Sequence, residues 1–194
     1  MQDPLVTAPD APLGLTSIDL RDGPVIGRLA PMRCPIAIED LAVDLPPKGR
    51  LIGIDLGAKT IGLAISDVER RLASPLKTLA RGAFARDANT LTAIFSEFGV
   101  AAIVLGLPLD LNGRDSPRAQ STRAFARNLS TRTNLPILFW DERFSTAAVT
   151  RSLIANDVSR ARRARVVDKM AAAYILQGVL DRLGGLARPL IGRS

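Results

Sequence analysis

The 194-residue sequence contains no histidine. That absence removes Ser-His-Asp and Cys-His hydrolases and His-ligated zinc sites together, so any chemistry must run on carboxylates, Lys/Arg or hydroxyls. Cysteine is almost as scarce. Cys34 alone cannot form an internal disulfide, and it fits a reducing, cytoplasmic setting. Aromatic residues make up 4% of the chain, so a core must come mainly from Leu, Ile, Val and Ala. No stretch approaches the roughly 18–20 uninterrupted apolar residues of a membrane span. The N-terminal stretch carries acids and prolines without an apolar h-region, unlike a secretory signal. What the chain does have is positive charge: 26 Lys+Arg against 19 Asp+Glu, a formal +7. Such an excess favours a polyanionic partner through counterion release, although a genome-wide preference for Arg codons would produce the same excess.

The length suits one domain with a sizeable core and is too short for two full α/β domains. Residues 1–31 hold no sustained period of 2 or 3.6 and read as a poorly ordered extension. Met32 directly precedes the next segment, and the expectation is that it could be the native start. Residues 32–49 include IAIEDLAVDLPPKGR, a short amphipathic helix and linker ended by Pro46-Pro47. The domain proper spans 50–194. LIGIDLG is a strand with Leu51, Gly53 and Asp55 on one face and Ile52 and Ile54 on the other. TIGLAISD alternates large and small side chains and pairs with it as a hairpin. RLASPLKTLA is a third strand, at or near an edge because Pro75 cannot donate to a ladder.

The period then changes. Phe84, Ala88, Leu91, Phe95 and Phe98 form one apolar helical stripe closed by Gly99. VAAIVLGL is a strand covered on both faces, and PLDLNGRDS is a loop. A helix runs from Pro117 to about Thr131, and LPILFWDE is a buried strand ending in acids. Ser145-Thr146 can cap a helix through Leu153 and Ile154. A basic turn, Ser159–Arg165, leads to a last helix over Val166–Leu183, ended by Gly184-Gly185. The order β-β-β-α-β-α-β-α-α describes an α/β domain: a mixed five-stranded sheet, its first three strands antiparallel, with helices on both faces.

Four features can carry chemistry. Asp55 leaves a central strand ahead of Gly57, Lys59 and Thr60, where backbone and side chains could meet a phosphate; alone, it is equally a turn residue. Asp141 and Glu142 end a buried strand with Arg143 beside them. Consecutive strand residues point to opposite faces, so one of the two acids faces a given cleft; an acidic helix N-terminus is the plainer alternative. Asp168 shares a helix face with Ala171, Ala172, Ile175 and Val179. A carboxylate is rarely found there, and the small alanines would let the helix pack closely on the sheet. Helix-dipole stabilisation in a first turn would also explain it. Finally, Asn112 and Arg114 in the polar loop, with Arg160, Arg162, Arg163 and Arg165, form a phosphate-steering set, or simply a solvated linker.

Three or four carboxylates without histidine suit hard cations, so Mg²⁺ or Mn²⁺ is expected, held by Asp55, Glu142 and Asp168. Two such ions about 4 Å apart can activate water and stabilise the leaving oxygen in phosphodiester cleavage. At these residues the sequence resembles the YqgF/RuvX family. GIDLGAKTIGLAISD, GLPLDLNG, DERFST and the terminal D-x-x-A-A-x-x-I-L-Q occur in the family's order over about residues 50–183. The resemblance implies a ribonuclease H-like fold and catalytic positions at Asp55, Asp141 or Glu142, and Asp168. It also implies nuclease action, either in 5′-end maturation of pre-16S rRNA or as a Holliday junction resolvase. Ala58 departs from the family's usual Thr or Ser. The expected partner is nucleic acid, a structured RNA or branched DNA, bound by a monomer or homodimer.

Two other readings compete. The D-x-G hairpin also resembles the first phosphate loop of actin/sugar-kinase ATPases, but those need two such domains with nucleotide between them. An RNA-binding assembly factor with a degenerate site is the non-enzymatic alternative.

Overall fold

Large and small side chains alternate along β1 (Arg50–Leu56) and β2 (Thr60–Ser66), and the alternation sorts them onto two faces of one sheet. The computed structural model describes residues 34–110, 112–141 and 160–187, with 160–167 and 187 described as backbone alone. The chain divides into two units at Pro31/Met32. The first lies outside the described residues, as does the expectation that it is a poorly ordered extension.

In the second unit α1 (Ile38–Asp44) precedes the β1–β2 hairpin. β3 (Ala73–Ala80), α2 (Phe84–Phe98), β4 (Val100–Leu107), α3 (Pro117–Ser130), β5 (Ile137–Asp141) and α4 (Arg160–Ala187) follow. The sheet has five strands in the order β3-β2-β1-β4-β5. β1, β2 and β3 pair antiparallel, whereas β4 runs parallel to β1 and β5 parallel to β4. This is the mixed five-stranded sheet expected from the sequence, with its first three strands antiparallel. Its parallel strands end on the side where the β1–β2 turn lies, so loops after β1, β4 and β5 share one end of the sheet.

Each face has its own core. Ile52, Ile54, Ile61, Leu63, Ile103, Leu105 and Ile137 pack against α2 and α3 through Leu91, Phe95, Phe125 and Leu129. Leu51, Ala64, Val104 and Leu138 pack against α4 through Ala172, Ile175, Leu176 and Val179, with Leu41 of α1 beside them. Local signals end the helices as their chemistry requires. Gly99 closes α2 in the left-handed region (φ 61°), and Ser116 caps α3 by accepting from the Ala119 N–H, with Pro117 in its first turn. β3, which contains Pro75, is an edge strand.

α1 ends before Pro46-Pro47 as expected, whereas α4 departs from its expected bounds. α1 stops at Asp44, because Leu45 precedes Pro46 and is driven into extended backbone (ψ 133°). α4 begins at Arg160 and continues through Gly184-Gly185 to Ala187. The basic run is therefore helical and not a turn, since Arg and Ala are good helix formers. The two glycines cost about 1 kcal/mol each against Ala, too little to stop a helix whose Leu180 and Leu183 pack on the core. The helix expected after Ser145 lies outside the described residues. Among the described residues no helix is long and apolar enough to cross a membrane.

Candidate active site

Asp55 is the penultimate residue of β1 and is 5% exposed. It sits on the face that α4 covers, and its cross-strand partner on β2 is Gly62. A side chain at Gly62 would collide with the backbone carbonyl of Asp168. A Cβ at Gly53, two residues before Asp55, would lie 2.7 Å from the Ala172 carbonyl oxygen and 2.8 Å from Leu176 Cβ. The missing side chains let α4 come down onto the sheet, and the point of contact at Gly62 is Asp168 itself. Directly opposed residues on a strand pair hold their Cβ positions about 4.5–5.5 Å apart. The structure thus brings Asp55 and Asp168 onto one face as neighbours.

Thr60, at the start of β2, completes this arrangement. Its hydroxyl donates to Asp168 Oδ2 at 2.6 Å. Thr60 stands where the sequence allows a phosphate contact, and in the fold its hydroxyl also holds a carboxylate. The turn between Asp55 and Thr60 is closed by the Gly57 N–H donating to the Thr60 carbonyl at 2.9 Å.

Asp141 goes elsewhere. Trp140 packs with the α4-side core, whereas Ile137 and Phe139 belong to the opposite core. Alternation along β5 therefore puts Asp141 on the α2/α3 face, away from Asp55. Glu142 and Arg143 lie outside the described residues. Among the described residues no group of three acids or other ligating side chains converges.

The basic and polar candidates divide similarly. Lys59 is exposed in the turn. Asn112 and Arg114 are exposed in the loop after β4, which Asp110 shapes by accepting from the Arg114 N–H at 2.7 Å. That loop shares the Asp55 end of the sheet. Arg160, Arg162, Arg163 and Arg165 lie on the first turns of α4, ahead of Asp168, and are described as backbone alone.

One residue escaped the sequence reading. Arg81 follows β3 and donates from Nη1 to the Gly57 carbonyl at 2.7 Å and from Nη2 to Ser121 Oγ at 3.4 Å. Its backbone N–H donates to the Lys59 carbonyl at 2.9 Å. No local pattern in TLARGAF marks it, because every partner comes from another element.

A family model described as "RuvX: Holliday junction resolvase" matches residues 49–182. The chain belongs to the RuvX family. The match opens at β1 and closes within α4, so it contains Asp55, Thr60, Arg81 and Asp168. Curated relatives include the "Putative pre-16S rRNA nuclease" of Methylocella silvestris, 60% identical over 148 residues, which are 76% of this chain and 92% of that protein. The protein of the same name from Beijerinckia indica is 63% identical over 139 residues, 72% of this chain and 84% of its own. Among solved structures the chain is similar to T. thermophilus RuvC in complex with Holliday junction substrate. The TM-score is 0.47 and the identity 13%, covering 70% of this chain and 96% of that one.

Proposed function

We propose that this RuvX-family chain is a metal-dependent nuclease acting in the cytoplasm, hydrolysing phosphodiester bonds in 5′-end maturation of pre-16S rRNA. The observation that carries the catalytic reading is that Asp55 pairs across the hairpin with Gly62, and the Asp168 backbone packs against Gly62 at the strand-end face of the sheet. The names borne by relatives at 60% and 63% identity support the choice of RNA.

The donors fit a hard cation. Both are carboxylates, the chain has no histidine to attract zinc, and the missing side chain at Gly62 keeps the two acids close. Asp55, Asp168 and Glu142 would hold Mg²⁺ or Mn²⁺. Glu142 is preferred to Asp141 because the alternation of β5 turns Asp141 toward the α2/α3 face. When bound, such ions in a two-ion site polarise the phosphoryl oxygen and acidify water. The protein's own part is positional. Thr60 holds one oxygen of Asp168, α4 brings that carboxylate to the sheet, and Asp55 is fixed by a strand paired on both sides. Preorganised donors of this kind need little rearrangement on the way to the transition state.

The family's description favours a second reading, resolution of Holliday junctions. Two symmetric cuts would call for two copies of the site. Cleavage assays with Mg²⁺ or Mn²⁺ on pre-16S rRNA 5′ leaders and on synthetic four-way junctions separate the readings, with Asp55→Asn alongside. Leader cleavage that Asp55→Asn abolishes is the expected result. Symmetric cleavage of the junction alone would replace the RNA reading. Activity retained in Asp55→Asn would remove the catalytic one.

A further inference from the structure

Among the described residues the guanidinium of half-buried Arg81 bonds only neutral partners, the Gly57 carbonyl and, at longer range, the Ser121 hydroxyl. Of the five N–H groups of an arginine, three remain for another acceptor. Among the described residues no carboxylate lies within ion-pair distance of Arg81, and none pairs with Lys59. The two residues are backbone neighbours, since the Arg81 N–H bonds the Lys59 carbonyl. A partly desolvated guanidinium without a carboxylate partner favours an anion, and a second cation on the adjoining backbone raises the positive potential there. Gly57, where the guanidinium is held, is two residues beyond Asp55.

From this we infer that Arg81 is a substrate-binding residue. It takes a backbone phosphate flanking the scissile bond, and Lys59 contributes charge to the same phosphate. The inference rests on the nuclease reading above and adds to it a residue that holds the nucleic-acid backbone at the β1–β2 turn, on the α3 side of the strand ends. An arginine suits this task because its planar fork can grip a phosphate through two parallel bonds while a third donor stays on the protein. The bond to Gly57 sets the direction of the fork, so the phosphate is located relative to the turn that follows Asp55.

The test is binding by the full chain, without divalent metal, to a fluorescent pre-16S rRNA 5′ leader and to a four-way DNA junction over a range of salt. Arg81→Gln keeps an N–H donor for the Gly57 carbonyl but removes the charge. It should weaken binding about tenfold at low salt and reduce the slope of log K against log salt by about 1. Arg81→Lys should restore most of the slope. A slope unchanged in Arg81→Gln, with only the melting temperature lowered, would overturn the proposal and leave Arg81 as a clamp on the turn. Should Arg81→Gln not fold, Lys59→Gln reads the same phosphate from an exposed side chain, and a slope unchanged there would have the same force. Binding is read apart from cleavage. If the wild type binds but cuts neither substrate, the nuclease reading falls while the slope still decides Arg81; if it binds neither, both fall.

Discussion

Thr60 Oγ1 lies 2.6 Å from Asp168 Oδ2, across 108 residues of chain. The bond links the first residue of β2 to the carboxylate that α4 delivers, and it gives Thr60 a positioning role.

Removing that hydroxyl should matter more for chemistry than for folding. Thr60→Val is expected to lower cleavage by about 10–100-fold, as loss of a partner orienting a metal ligand does, and to raise the Mg²⁺ or Mn²⁺ concentration needed for half-maximal rate. Thr60→Ser keeps the donor and should recover most of both. A metal dependence identical in wild type and Thr60→Val would show that the bond does not tune the site.

Gly62 and Gly99 separate two reasons for a glycine. Alanine at Gly62 would meet the Asp168 carbonyl, which is backbone and cannot rotate away, so α4 must lift. The expected cost is about 1–3 kcal/mol, with loss of cleavage in the molecules that remain folded. Gly99 has nothing within 4 Å but a φ of +61°. Alanine there should cost about 1–2 kcal/mol from backbone conformation and leave specific activity intact. Denaturation midpoints and cleavage rates normalised to folded protein check the pair. Equal activity losses would contradict the assignment.

Gln177 ends the D-x-x-A-A-x-x-I-L-Q segment, yet it sits about 13 Å along the helix from Asp168. Its Oε1 accepts from the Ala73 N–H at 2.8 Å, and its Nε2 donates to the Arg71 carbonyl at 3.1 Å and to Asp181 Oδ1 at 2.8 Å. It therefore ties α4 to the start of β3. Gln177→Leu should destabilise the fold by about 1–3 kcal/mol while folded molecules cleave at the wild-type rate. Loss of rate without loss of stability would give Gln177 a part in the chemistry.

The β2–β3 turn carries a pH signature. The N–H of Leu72 foremost, and that of Arg71, hold the Asp67 carboxyl below its usual range. A carboxylate whose pKa is depressed by folding contributes stability above its unfolded value, about 3.9, and loses it as the pH falls through the lower folded value. The gap in melting temperature between wild type and Asp67→Ala should thus be steady near neutrality and narrow once the pH drops below about 3.9. A gap that persists well below that value would rule out the charge as its source.

Much of the architecture was legible as local pattern. Period-2 alternation in GIDLGAKTIGLAIS marked the hairpin. The stripe from Phe84 to Phe98 with Gly99 behind it marked α2, and Pro75 marked an edge strand, because these signals act between residues close in sequence. The absence of histidine, read from composition alone, had already limited the chemistry to carboxylates, Lys/Arg or hydroxyls. The true length of α4 was not legible. Weak breakers such as Gly184-Gly185 yield to packing that a linear pattern does not record.

Within the candidate site the division is sharper. Asp55 and Asp168 could be picked out by type and position, each with a plainer local explanation. Which acidic positions share a face was decided by the docking of α4, which the bare backbone at Gly53 and Gly62 permits. The same docking made Thr60 the partner of a carboxylate, and the parity of β5 sent Asp141 to the opposite face. Arg81 had no sequence signal, because its partners come from the β1–β2 turn and from α3. Sequence alone therefore determined the strands, the main helices and the kind of donor atom available. Tertiary structure decided which donors share a face, because that depends on how a helix and a sheet approach each other in space.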